Sequence, residues 1–222
     1  MNDTETDQLP VFSATAPEVF SDPTAAKTLF EPVLSQLARM VEVHDDQLAH
    51  PTPCQSYAVA DLRRHILGWL QFFAAALNDP SGAAKRLDPD TWDLGPDQLP
   101  AVVVRQAAAD IERAIDAGAA SALIVMSQAR MAGDAVLAMA LGEYLVHGWD
   151  LAVSTGRSWE AADVAAEPAL GFLHTTIAPG YRGPDSGFFD EEVTAPPEAT
   201  AFERLLCFAG RHPDWAPSDS AT

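Results

Sequence analysis

From about Asp134 to Ser154 the chain repeats apolar residues at helical spacing (Leu137, Leu141, Tyr144, Gly148 and Leu151), with Gly133 before the stretch and Gly156 after it. At ~100° per residue, Glu143 and His147 fall together along one flank of that stripe, with Asp150 and Ser154 beyond them. A carboxylate near the middle of a core helix needs a partner, whether a cation, an arginine or water. The stretch therefore predicts a long helix in a helical core and, on that helix, a polar group that calls for chemistry.

Three further segments carry the same period. Leu29, Val33, Leu37, Met40 and Val41 predict a first helix from about Thr24 to Asp46, with Thr24 as its N-cap and Pro51 and Pro53 barring continuation. Leu62, Ile66, Trp69, Phe73 and Leu77 predict a second, from about Val59 to Leu77, stopped by Asn78-Asp79-Pro80-Ser81-Gly82. Val102, Val103, Ile111 and Ile115 predict a third, from about Asp97 to Ala117, closed by Gly118. Ala122 to Met131 reads as an extended run or a short packed loop. Two later helices follow, at about Val164–Ile177 and Phe202–Phe208. With no sustained alternation and no hairpin signal, the expected fold is all-α: a four-helix up-down bundle with additional C-terminal helices and an irregular segment, Ala178–Pro197, wrapping its surface. The expected organisation is a flexible N-terminal arm over residues 1–23, one domain over 24–215 and a flexible tail over 216–222.

Composition narrows the function. Thirty-two acidic residues against thirteen basic ones give a formal charge of −19 in 222 residues. The densest basic clusters are the pairs Arg63-Arg64 and Lys85-Arg86, so neither nucleic acid nor an anionic membrane is an expected partner. The N-terminus is acidic and polar, unlike a secretory signal, and no apolar run was expected to approach the ~20 residues of a membrane span. A cytoplasmic location and a monomer or homodimer are the expectations. Two cysteines, Cys54 and Cys207, do not make a disulfide framework. Cys54, just before the second helix, reads either as a stabilised thiolate or as a small buried hydrophobe.

Three of the six histidines follow a carboxylate by four residues: Asp46–His50, Asp61–His65 and Glu143–His147. Surface helices generate such pairs freely. Asp46–His50 ends against Pro51 and reads as solvated. Asp61 lies in a first helical turn, where it suits the helix dipole or orients His65. His65 sits among Leu62, Ile66 and Trp69, and Glu143 among core residues, so His65, Glu143 and His147 form the candidate metal-ligand set, a buried His–Glu network being the alternative. Asp150 reads as orienting His147, contacting a bound thiol, or pairing with an arginine such as Arg157. His44, His174 and His212 have no comparable grouping.

Pro53-Cys54, Val59-Ala60-Asp61-Leu62-Arg63-Arg64-His65, Glu143-Tyr144-Leu145-Val146-His147-Gly148-Trp149-Asp150-Leu151-Ala152 and Gly210-Arg211-His212-Pro213 together resemble the DinB-like family related to mycothiol-dependent maleylpyruvate isomerase, over about residues 25–215. The resemblance implies a bundle holding a divalent metal (zinc by ligand type, with nickel and iron accepting the same donors) on His65, Glu143 and His147. It implies a low-molecular-weight thiol such as mycothiol as cosubstrate, activated by the metal to attack a small electrophile. Only about sixty-five residues follow the fourth helix, too few for the isomerase's C-terminal domain, so the expected activity is an S-transferase or isomerase-like reaction rather than that isomerisation itself. A non-catalytic metal- or ligand-binding module and a plain helical interaction protein are the competing readings. Arg211 is expected to fold back over the bundle.

Overall fold

The computed structural model describes residues 9–82, 87–160, 163–183 and 189–217. Lys85-Arg86, the first eight residues of the arm, residues 184–188 of the wrapping segment and residues 218–222 of the tail lie outside the described residues. The chain is mostly helical. Four long helices, α1 (Pro23–Met40), α2 (Val59–Asn78), α3 (Pro100–Asp116) and α4 (Gly133–Ser154), form the bundle, and α5 (Asp163–Thr176) and α6 (Ala201–Phe208) follow.

The announced stripes are mostly buried: Leu62, Ile66, Phe73 and Leu77 on α2, and Leu137, Leu141, Tyr144 and Leu151 on α4, are all 0–2 % exposed, whereas Trp69 on α2 is partly buried and Val102 on α3 is 48 % exposed. The all-α fold holds, but the helices do not stand in sequential order around the bundle. Helix α1 packs against α3 and α4, and α2 packs against the same two, so consecutive helices α1 and α2 lie across a diagonal. The long connection of residues 41–58 is what lets the chain cross. Helix α4 also receives α5, which in turn packs on α6. Surrounded by α1, α2 and α5, α4 is buried nearly all round. It is long and apolar enough to cross a membrane, contrary to the expectation that no run would be, yet it lies mostly buried inside the bundle.

Two helix ends differ from expectation for identifiable reasons. Asp22, not Thr24, caps α1, its carboxylate accepting from the amides of Thr24 and Ala25 at 2.8 and 2.9 Å. Helix α1 stops at Met40 instead of Asp46. The Arg157 guanidinium donates to the carbonyls of Arg39, Met40 and Glu42 at 3.0, 2.6 and 3.2 Å, while Glu42 leaves the helix to accept from the Ala101 amide near the start of α3. Residues Asp45–Gln47 form a separate 3-10 turn.

The ambiguous run after α3 is a short antiparallel pair, β2 (Leu123–Val125) with β3 (Arg130–Ala132), Ile124 opposite Met131. Strand β1 (Val11–Phe12) adds to β3 in parallel, Val11 opposite Arg130. The described part of the N-terminal arm is thus tied to the body, and Phe20, on a 3-10 turn, is 0 % exposed.

Two glycines bear directly on the site. A Cβ at Gly148 would stand 2.3 Å from the Trp159 ring, so only glycine admits that indole against α4 beside His147. Gly210, at φ +82°, ends α6 in a left-handed turn, its amide donating to the Cys207 carbonyl and the Arg211 amide to that of Leu206. This turn aims Arg211 back into the bundle.

Candidate metal centre

His65 projects from α2 and Glu143 and His147 from the neighbouring α4, the latter two a turn apart. One ligand atom from each of the three lies within 4.8 Å of the others. His65 Nε2 is 2.7 Å, and His147 Nε2 3.4 Å, from Glu143 Oε1. Donors around a tetrahedral ion with bonds near 2.0–2.1 Å are about 3.3 Å apart. The trio is thus a candidate ligand set for a small dication, the His65–Glu143 contact being shorter than that spacing and the His147–Glu143 contact close to it.

The far nitrogen of each imidazole is already occupied. His147 Nδ1 is 2.9 Å from Asp150 Oδ2, and His65 Nδ1 is 3.1 Å from the Tyr57 hydroxyl. With both Nδ1 atoms engaged, both Nε2 atoms are left facing the carboxylate, the arrangement that metal-binding histidines adopt. Asp61, a sequence candidate for orienting His65, pairs instead with Arg64 at 3.3 Å. Tyr57 takes that place.

The arginine that meets Asp150 is Arg211. Asp150, 0 % exposed, does not meet Arg157, which is spent on the end of α1. Its partner is Arg211, 5 % exposed, whose Nε and Nη2 lie 3.0–3.3 Å from the carboxylate. Arg211 also donates to the Ala209 carbonyl at 2.9 Å. With its oxygens bonded to His147 and Arg211, Asp150 is placed to orient His147.

The charges are strongly coupled. Burial alone would raise the Glu143 pKa, but the electrostatic pull of His147, the hydrogen bond and pull of His65, and Arg211 outweigh it and hold it at about 2. Burial likewise opposes ionisation of Asp150, yet Arg211 and His147 hold its pKa below the usual carboxylate range. Tyr57 is pushed up to about 12, by burial first and then by negative neighbours including Glu143. Cys54 Sγ joins His147 and Asp150 in a second group of possible ligands within 4.8 Å. There the Arg211 guanidinium already supplies the positive charge, which argues against a second cation.

Of the two readings of Cys54, the structure favours the inert one. The thiol is raised to about 11, chiefly by burial, with Arg211 only partly opposing. A shift from 9.0 to about 11 should slow alkylation of Cys54 by iodoacetamide near pH 8 about 100-fold relative to the unfolded chain. Peptide mapping of timed reactions measures this. Equal rates in folded and unfolded protein would contradict the burial.

The fold and its convergent donors define a DinB-like helical bundle with a candidate metal centre. Residues 30–152, more than half of the chain, match the model of the mycothiol maleylpyruvate isomerase N-terminal domain, and the chain belongs to that family. It is also similar to two uncharacterised proteins of Mycobacterium tuberculosis, MT0763 of strain CDC 1551 / Oshkosh and Rv0738 of strain ATCC 25618 / H37Rv. Each is 32 % identical over 178 residues, covering 78 % of this chain and 90 % of the relative. No solved structure matches the chain. The matched region holds the three candidate ligands, Tyr57 and Asp150, whereas Arg211 lies beyond it.

Proposed function

We propose that this chain is a metal- and thiol-dependent enzyme that joins a low-molecular-weight thiol of the mycothiol type to a small electrophile, as an S-transferase or in an isomerase-like cycle. The observation that carries the reading is the convergence of His65, Glu143 and His147 with both remote imidazole nitrogens already bonded. Those three residues would hold a divalent cation, zinc by donor type, which would supply the Lewis acidity that lowers a thiol's pKa towards neutrality. Two neutral imidazoles and one carboxylate would leave such a centre with one net positive charge. Asp150, backed by Arg211, keeps His147 turned towards that point. Tyr57 does the same for His65 and, with Trp69 (ring centroid 6.1 Å from His65), forms an aromatic wall beside it. Asp150 serves as a positioning group and not as a proton carrier.

One observation favours the second reading, a non-catalytic metal- or ligand-binding module. The three ligand side chains are only 12–26 % exposed, which leaves a narrow approach. Metal content of the purified protein, followed by mycothiol consumption with a panel of small electrophiles, separates the two. We expect about one divalent ion per chain and turnover that disappears with a chelator and returns with zinc. Stoichiometric metal with no thiol consumption would favour the module.

A further inference from the structure

We infer that Tyr57 is a positioning residue for His65, and that His65 is the arm of the centre that opens when metal enters or leaves, His147 being the fixed anchor. This rests on the metal-binding reading above.

The two imidazoles are gripped very differently. His147 faces a carboxylate that is 0 % exposed and itself held by a buried guanidinium. Hydrogen bonds to ionised partners are roughly twice as strong as neutral ones. His65 faces a neutral phenol at 3.1 Å on a half-buried ring. The connectivity is asymmetric in the same sense. Glu143 and His147 share α4, so a small displacement of α2 against α4 would release His65 alone.

Tyr57 is not carried by a helix. It is set by a knot in the loop before α2. Thr52, 6 % exposed, lies with its hydroxyl 2.8 Å from the carbonyls of both Cys54 and Tyr57. The Tyr57 amide donates to the Cys54 carbonyl at 2.9 Å, and the Val59 amide to that of His50 at 3.0 Å. The knot lays the Tyr57 ring 5.0 Å from the His65 ring and 6.4 Å from that of His147, centroid to centroid. For His65 to offer Nε2 as a donor, its proton must sit on Nδ1, where the Tyr57 oxygen accepts it. When Nε2 holds metal, removing that oxygen leaves a half-buried N–H without a partner and frees the ring to turn.

The test uses the full chain loaded with zinc and mixed with an excess of a chromophoric chelator, comparing wild type with Tyr57→Phe and Thr52→Val. We expect Tyr57→Phe to speed zinc release about tenfold, and Thr52→Val to act in the same direction by less. In the zinc-loaded protein, the His65 Nδ1 proton should exchange slowly with solvent in wild type and faster in Tyr57→Phe, with that of His147 unchanged. Release in Tyr57→Phe at the wild-type rate, or unaltered exchange of the His65 Nδ1 proton, overturns the inference. A wild-type chain that retains no zinc instead overturns the metal-binding reading itself, a different and separately visible result.

Discussion

Replacing Arg211 with methionine is expected to cost about 3–5 kcal/mol of folding stability, because it strips a buried carboxylate of its counter-charge. Asp150 is 0 % exposed, and the guanidinium contributes three contacts of 3.0–3.3 Å to it. The Asp150–His147 hydrogen bond is then the carboxylate's main remaining support among the described residues. A double variant, Arg211→Met with Asp150→Leu, should recover much of the loss, since apolar groups of similar size often replace a buried ion pair at little net cost. Urea denaturation of metal-free protein measures both. A loss below about 1 kcal/mol for the single variant would place the pair in the range of solvated surface bridges and contradict its burial. The double variant also separates roles. It should fold, yet hold metal poorly, because His147 has lost the group that orients it.

Glu143→Gln should remove metal binding almost completely. Losing even an outer partner of a metal ligand costs 10–100-fold in affinity, so replacing the one anionic ligand should exceed about 100-fold. Titration calorimetry with zinc measures the affinity. In parallel, the rise in melting temperature that wild type gains from excess metal should vanish in the variant. Retention of tight zinc would assign the ion to other residues. The same substitution has a pH signature. Glu143 is held at about 2 in the folded chain against an ordinary 4.5. Its anion therefore adds stability that is fully present above about pH 4.5 and is lost as pH falls towards 2. Metal-free Glu143→Gln should lack this component, so its stability relative to wild type should improve as pH drops from 5 to 3.

The helices were legible because each carries an apolar stripe long enough for a 3.6-residue period to emerge, and because glycine or proline punctuates most ends. The strands were not, since three residues are too few to display alternation and their pairing is set by contacts across the chain. The end of α1 depended on Arg157, a side chain more than a hundred residues away that captures its terminal carbonyls. Glu143 and His147 could be paired from spacing alone, but their meeting with His65 is a tertiary fact, to which the apolar surroundings of His65 and the family motif were the advance pointers. The outer partners were least accessible. Tyr57 lies in a knotted loop where helical spacing carries no information, and the approach of Arg211 to Asp150 crosses 61 positions with no local pattern. Asp150 does pair with an arginine, but with Arg211 and not with Arg157, the example nearest in sequence, whose guanidinium is engaged elsewhere.

The diagonal placement of α1 and α2 has a bearing on biosynthesis. His65 and Glu143 stand 78 positions apart, so a growing polypeptide leaves the ribosome with a single imidazole donor long before the other two exist. The counter-ion for Asp150 arrives later still, 61 positions after the acid itself. Closure of the cation cradle is consequently a late event, and a nascent chain stalled before Arg211 would display an acidic side chain it cannot yet bury.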